Sequence, residues 1–119
     1  MKAAPILAVT LAIAMSSGSA AQAVELTLTL PGDAPAQRLT TTYECPGLGT
    51  LSAEYVDAGD VSLAILPVEG KSLIFANVLS ASGARYASGP FIWWIKGQTA
   101  ALYDLRKGED AAPQNCRER

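Results

Sequence analysis

The fold is decided by two strand-like runs, Gly83-Ala84-Arg85-Tyr86-Ala87 and Phe91-Ile92-Trp93-Trp94-Ile95. Ser88-Gly89-Pro90 stands between them, and glycine followed by proline is typical of a tight connection. Aromatic and β-branched residues in both runs favour extended backbone. The pattern predicts an antiparallel β-hairpin, which carries the densest aromatic cluster of the chain.

The open end of this hairpin brings together two polar side chains. Counting outward from Gly89-Pro90 places Ser82 and Gly83 level with Lys96 and Gly97. The hydroxyl of Ser82 and the ammonium of Lys96 then lie together at the open end of the hairpin. Each is followed by a glycine, which permits a sharp turn and the close approach of another surface.

The rest of the chain after residue 23 consists of short strand patterns separated by turns. The predicted strands outside the hairpin are 24–30, 39–45, 51–55, 61–66, 73–79 and 100–105. The run 73–79 is apolar enough for us to expect it largely buried, and the polar tail from Arg106 predicts a loop held at Cys116. No long helical period appears. The pattern indicates an all-β sandwich or a small barrel of neighbouring antiparallel strands.

The first 23 residues resemble a targeting segment. Met1-Lys2 is positively charged, residues 3–15 are apolar, and Ala21-Gln22-Ala23 matches a signal-peptidase site. An anchoring helix is the alternative, but the apolar run is short for a bilayer. No cysteine is present there for lipid attachment. We expect a cleaved signal peptide at 1–23, one exported domain at 24–119, and no membrane anchor in the mature chain.

The chain has two cysteines, Cys45 and Cys116, near the two ends of the predicted domain. They can pair in only one way, and an exported domain of this size needs a covalent staple. We therefore predict a Cys45–Cys116 disulfide. The alternative, a metal site, would need more ligands, and the chain has no histidine. We expect neither a metal nor a cofactor.

Charge and composition exclude several function classes. The net charge is −2 and becomes −3 without Lys2, so the chain lacks the basic balance of a nucleic-acid-binding protein and suits a cationic partner. The absence of histidine excludes a Ser-His-Asp triad. A Ser82–Lys96 dyad stays formally open, although no oxyanion hole is visible. The remaining acidic candidates are interpreted as solvated surface: Glu54, Asp57, Asp60 and Asp104.

The aromatic residues of the hairpin have two interpretations each. Adjacent Trp93 and Trp94 on a strand point to opposite faces, so we expect one in the core and the other outside or near the rim. Tyr86 fits either the core or a contact surface.

Four sequence motifs together resemble the MliC/PliC family of bacterial inhibitors of c-type lysozyme. They are Ser-x-Ser-Gly-x-x-Tyr at 80–86, Trp-Trp-x-Lys-Gly at 93–97, Tyr-x-Cys at 43–45 and Asn-Cys at 115–116. Each motif is weak alone, and their combination over residues 43–116 is specific. The chain departs from the founding members because it lacks the lipoprotein cysteine.

The resemblance implies a fold, a partner and a site. The fold is an eight-stranded antiparallel β-barrel with one disulfide. The function is inhibition of c-type lysozyme in the periplasm, without catalysis, by a non-lipidated protein that inserts a serine and a lysine into the lysozyme cleft. The residues implied for lysozyme binding are Ser82, Gly83, Tyr86, Lys96 and Gly97. The alternative function is a structural or adhesive β-domain of the cell envelope that does not inhibit.

Overall fold

The computed structural model describes residues 2–6, 8–19, 25–30 and 32–119, and the chain divides into two compact units, 1–31 and 32–119. The described residues of the first unit form no helix or strand. Across the described chain, no helix has both the length and the apolarity needed to cross a membrane. The expected cleavage point after Ala23 lies outside the described residues.

The second unit is a closed antiparallel barrel in which every strand follows its sequence neighbour around the wall. This confirms the predicted all-β, eight-stranded fold. The strands are β1 Gln37–Cys45, β2 Gly49–Ala58, β3 Val61–Val68, β4 Lys71–Val78, β5 Ala84–Ser88, β6 Phe91–Lys96, β7 Thr99–Asp104 and β8 Gln114–Glu118, with a 3-10 turn at Leu105–Lys107 between the last two.

The predicted count of eight strands is correct, but two of the predicted assignments are wrong. The alternating run predicted as a strand at 24–30 forms none in its described part, 25–30, and Leu26, Leu28 and Leu30 are exposed. The tail predicted as a loop contains β8, which pairs with both β7 and β1. β8 therefore occupies the place beside β1 that closes the wall.

The prediction that 73–79 is largely buried is also wrong. Within β4 only Phe75 is fully buried, Leu73 and Val78 are half-buried, and Ile74 is exposed. Leu79 lies beyond the strand and is 93% exposed. The physical reason is that a barrel wall has one inner and one outer face, so alternate side chains of even an apolar strand point to solvent.

The barrel closes at a short seam between β1 and β8. Tyr43 pairs with Glu118 and Glu44 with Arg117, and the same register sets Cys45 opposite Cys116. These cysteines form the predicted disulfide, with their Cα atoms 4.2 Å apart and both side chains buried. The covalent bond therefore continues the seam where the backbone pairing ends.

The interior is filled around Trp93, which is 0% exposed. Its indole nitrogen donates to the Tyr55 hydroxyl at 2.9 Å, and that hydroxyl lies 2.8 Å from the hydroxyl of Tyr43. The Tyr43 ring meets Trp93 edge to face, with centroids 5.2 Å apart. The indole N–H and the two hydroxyls therefore hydrogen-bond to one another. Among the described residues, no buried side-chain nitrogen or oxygen lacks a hydrogen-bond partner.

The seam predicts a large stability loss when the disulfide is removed. Because it closes a loop with a sequence separation of 71, the double variant Cys45→Ala/Cys116→Ala should lose about 4 kcal/mol of unfolding free energy in the chain-entropy model. For a domain of this size this corresponds to a fall in Tm of roughly 15–30 °C. Calorimetry of the oxidised protein and the variant tests this, and equal Tm values would contradict it.

The buried tyrosines predict a loss of stability at alkaline pH. Burial raises the pKa of Tyr43, Tyr55 and Tyr86 above the ordinary value, while in the unfolded chain they ionise near about pH 10. The unfolding free energy should therefore decline above about pH 10, because the unfolded chain then releases protons that the folded chain keeps. Denaturant titrations between about pH 8 and 11 measure this decline. Tyr86→Phe should make it shallower, and a flat profile for the unsubstituted protein would refute the prediction.

Candidate functional site

The hairpin of β5 and β6 has the register that the sequence predicts. Ser88 pairs with Phe91 across the two-residue turn, and Ala84 pairs with Ile95 at the other end. Gly89 in the turn has a φ of 52°, a left-handed conformation that glycine adopts without strain. The same register continues outward to set Gly83 opposite Lys96.

Antiparallel connectivity brings three loops to one end of the barrel. They are the β2–β3 turn at 59–60, the β4–β5 loop at 79–83 and the β6–β7 turn at 97–98. We use the name "rim" for the part built from residues 79–83 and 96–98. The disulfide lies at the β1 end that faces away from this rim.

Gly83 lets the β4–β5 loop lie directly against β6. A Cβ atom on Gly83 would stand 2.1 Å from the carbonyl oxygen of Ile95 and 3.0 Å from Cγ of Lys96. The backbone φ of 65° is also left-handed. Glycine is therefore required here for both space and conformation, and it brings the loop that carries Ser82 against the strand that carries Lys96.

Lys96 is exposed at the end of β6, and its ammonium lies 4.4 Å from the centroid of the Trp94 ring. Its carbonyl accepts a hydrogen bond from the Thr99 hydroxyl at 2.9 Å, which fixes the turn at Gly97. An exposed ammonium is available to bind an anionic group. It lacks the burial that a Ser-Lys catalytic dyad requires.

Ser82 is exposed, and two donors hold its backbone carbonyl. The indole nitrogen of Trp94 donates at 2.8 Å, and the hydroxyl of Ser80 donates at 2.5 Å. The Ser80 hydroxyl also lies 3.2 Å from the carbonyl of Gly83. The loop backbone is therefore held by the side chains of Ser80 and Trp94, and the Ser82 side chain remains exposed.

The two tryptophans divide as expected, and Tyr86 takes the core position of its two interpretations. Trp93 is buried and Trp94 is half-buried on the outer face. Tyr86 is 7% exposed, pairs with Trp93 across the hairpin, and packs against Tyr55 with centroids 5.9 Å apart. Tyr86 therefore supports the hairpin from inside.

Three of the four acidic candidates have structural partners at the surface, and the fourth, Asp60, is exposed. Glu54 pairs with Arg38 at 2.6 Å, and Asp57 accepts from the Ser62 hydroxyl at 2.5 Å. Asp104 binds Arg106 at 2.8 Å, and hydrogen bonds from this guanidinium lower the pKa of the Asp104 carboxyl. These partners agree with the surface role that the sequence predicts.

Sequence reasoning missed the part played by Trp94 and Ser80 in joining the rim. A readable signal exists for Trp94, because residues two apart on a strand share a face and Trp94 precedes Lys96 by two. The contact of Ser80 with backbone carbonyls depends on the loop conformation, which no spacing rule predicts.

Ser82 and Lys96 are both exposed on adjoining segments at one end of the closed barrel, a placement that leaves both side chains accessible to another molecule. Residues 43–111 match the family model MliC, "Membrane-bound lysozyme-inhibitor of c-type lysozyme". The chain belongs to this family.

Two curated relatives carry the name "Membrane-bound lysozyme inhibitor of C-type lysozyme". The one from Pseudomonas aeruginosa is 46% identical over 94 residues, which cover 77% of this chain and 74% of the relative. The one from Cupriavidus necator is 43% identical over 76 residues, which cover 62% of this chain and 61% of the relative.

A solved structure shares the fold: Pseudomonas aeruginosa MliC in complex with hen egg white lysozyme. It is 41% identical with a TM-score of 0.69, and the match covers 82% of this chain and 99% of that chain.

The close approach at Gly83 predicts unequal effects of two glycine substitutions. Gly89→Ala places a Cβ in open space, so only the left-handed backbone opposes it, by about 1 kcal/mol. Gly83→Ala adds the collision with Ile95 and should destabilise by roughly 1–3 kcal/mol more. Denaturant unfolding of both variants checks the difference, and equal losses would show that the loop does not depend on this contact.

Proposed function

We propose that this chain inhibits c-type lysozyme by inserting Ser82 and Lys96 into the catalytic cleft. Family membership supports this proposal, as does the relative whose structure contains hen egg white lysozyme. The residues matched by the family model, 43–111, include both side chains. The observation that carries the proposal is the close approach of the loop that carries Ser82 to β6 at Gly83, which brings Ser82 and Lys96 from two separate chain segments to one end of the barrel.

The chemistry of the two side chains suits the catalytic centre of lysozyme. Lysozyme is the type case of a glycosidase with two carboxyl groups, one protonated in an apolar pocket and one ionised. The ammonium of Lys96 can pair with the ionised carboxylate. The hydroxyl of Ser82 can donate or accept, so it suits a carboxyl group in either protonation state. Inhibition is then occlusion, with no covalent step.

The structure supplies a reason for affinity beyond the presence of these groups. The rim is held by a two-residue turn at Gly97-Gln98 on one side and by the Ser80 and Trp94 hydrogen bonds on the other. A surface segment that is ordered before binding loses less conformational entropy on entering a cleft. The acidic balance of the chain, −2, also favours encounter with a cationic protein.

Lys96→Ala should weaken inhibition strongly. It leaves a lysozyme carboxylate desolvated against an uncharged partner, and loss of one member of a buried charge pair raises the binding free energy by about 2–5 kcal/mol. Ser82→Ala removes a neutral hydrogen bond and should raise it by only about 0.5–1.5 kcal/mol. Both residues are exposed, so neither change should shift Tm appreciably. An inhibition titration against hen egg white lysozyme measures the effects.

The matched control is Lys71→Ala, because Lys71 is an exposed lysine that begins β4 at the opposite end of the barrel. It should inhibit as well as the unsubstituted protein. If Lys96→Ala and Lys71→Ala inhibited equally well, Lys96 would not be part of the lysozyme-binding site. Absence of inhibition by the unsubstituted protein at micromolar concentration would instead favour the non-inhibitory envelope domain.

We also propose that the protein acts in the periplasm as a cleaved, non-lipidated chain. The support is the targeting pattern ending at Ala23 and the absence of a cysteine in residues 1–23. Mass spectrometry of the protein isolated from a periplasmic fraction should find Val24 as the first residue and no lipid. A retained leader, or membrane association that survives high salt, would contradict this localisation.

A further inference from the structure

One side chain, Trp94, contacts both halves of the rim. Its indole nitrogen donates to the carbonyl of Ser82 at 2.8 Å, and its ring centroid lies 4.4 Å from the ammonium of Lys96. We propose that Trp94 is a positioning residue, which fixes the Ser82 backbone and the Lys96 ammonium relative to each other before any partner binds. This inference rests on the proposed function, because it concerns the same two side chains.

The loop half of the rim depends on few interactions. Residues 79–83 lie between β4 and β5, outside the strand ladder. The carbonyl of Ser82 accepts from Ser80 within the loop and from Trp94 outside it. The Trp94 hydrogen bond is the one that ties this carbonyl to β6, the strand that carries Lys96. Without it, the loop keeps its internal turn and the contact of Gly83 with β6, but the Ser82 carbonyl loses its hydrogen bond to that strand.

The lysine half depends on the ring. A lysine side chain has a flexible four-carbon stem, so an exposed ammonium has no fixed position of its own. A ring face within about 6 Å of a cation attracts it. Trp94 and Lys96 are two apart on the outer face of β6, which places the ring beneath the stem.

The position of Trp94 is itself fixed by its neighbours on both flanking strands. Arg85 pairs with Trp94 across the hairpin, and its guanidinium carbon lies 5.6 Å from the ring centroid. Tyr103 of β7 packs against the ring with centroids 6.5 Å apart. Contacts with Arg85 and Tyr103 therefore hold the indole in place on the outer face. A ring with a fixed position can hold the Ser82 carbonyl and the Lys96 ammonium in fixed positions as well.

The test compares two substitutions that remove the contacts in turn. Trp94→Phe keeps a ring for Lys96 and removes the N–H that binds Ser82. Trp94→Leu removes both. Ile74→Ala is the control, since it truncates a large exposed side chain on the outer face of β4, away from the rim. Each protein is studied first alone, by ¹⁵N relaxation of residues 80–83, and then in an inhibition titration against hen egg white lysozyme at a temperature where all are folded.

We expect backbone order parameters of about 0.85 for residues 80–83 in the unsubstituted protein and in Ile74→Ala. They should fall below about 0.6 in Trp94→Leu, and Trp94→Phe should also lower them. The inhibition constant should rise about 2- to 10-fold for Trp94→Phe and about 10- to 50-fold for Trp94→Leu.

Unchanged order parameters in Trp94→Leu would overturn the inference, as would a loosened loop with undiminished inhibition. If the unsubstituted protein does not inhibit lysozyme, the proposed function fails. The order parameters of the free protein then still decide whether Trp94 holds the rim.

Discussion

The structure depends on closure of the wall between β1 and β8. Two residue pairs join these strands, the Arg119 N–H donates to the Thr42 carbonyl directly beyond β8, and the Cys45–Cys116 bond extends the same register by one position at the other end. The hydrophobic core of a small domain contributes little stability to the contact between its first and last strands. The disulfide adds stability at the seam, where the backbone pairing is shortest. Closure also fixes the strand tilt and the inward-facing set of side chains, and through these the packing around Trp93.

The rim follows from that packing. Trp93 is locked inside the barrel by its contacts with Tyr43 and Tyr55, and strand alternation then directs its neighbour Trp94 outward. Trp94 in turn meets Lys96 on the outer face and the carbonyl of Ser82 on the neighbouring loop. The core and the proposed binding surface are therefore linked through two consecutive residues.

The local parts of this arrangement are predictable from the sequence. The hairpin turn at Gly89-Pro90 fixes the register, and the register alone brings Gly83 level with Lys96. The two cysteines likewise allow a single pairing. In contrast, β8 is polar and only Cys116 within it is buried, so its strand character comes from its neighbours β1 and β7 and leaves no periodic signal. Strand alternation predicts that adjacent tryptophans point to opposite faces, but it does not say which of them faces inward. That choice depends on packing against Tyr43 and Tyr55, which lie on strands distant in sequence.

The proposed inhibition requires that the rim, and no other face of the barrel, enters the lysozyme cleft. A crystal structure of this chain bound to hen egg white lysozyme tests it most directly. Lys96 Nζ and Ser82 Oγ should lie within about 3.5 Å of the catalytic carboxyl groups, with the backbone of residues 79–83 unchanged from the free protein. A complex in which Lys96 stays in solvent while another face of the barrel covers lysozyme would contradict it.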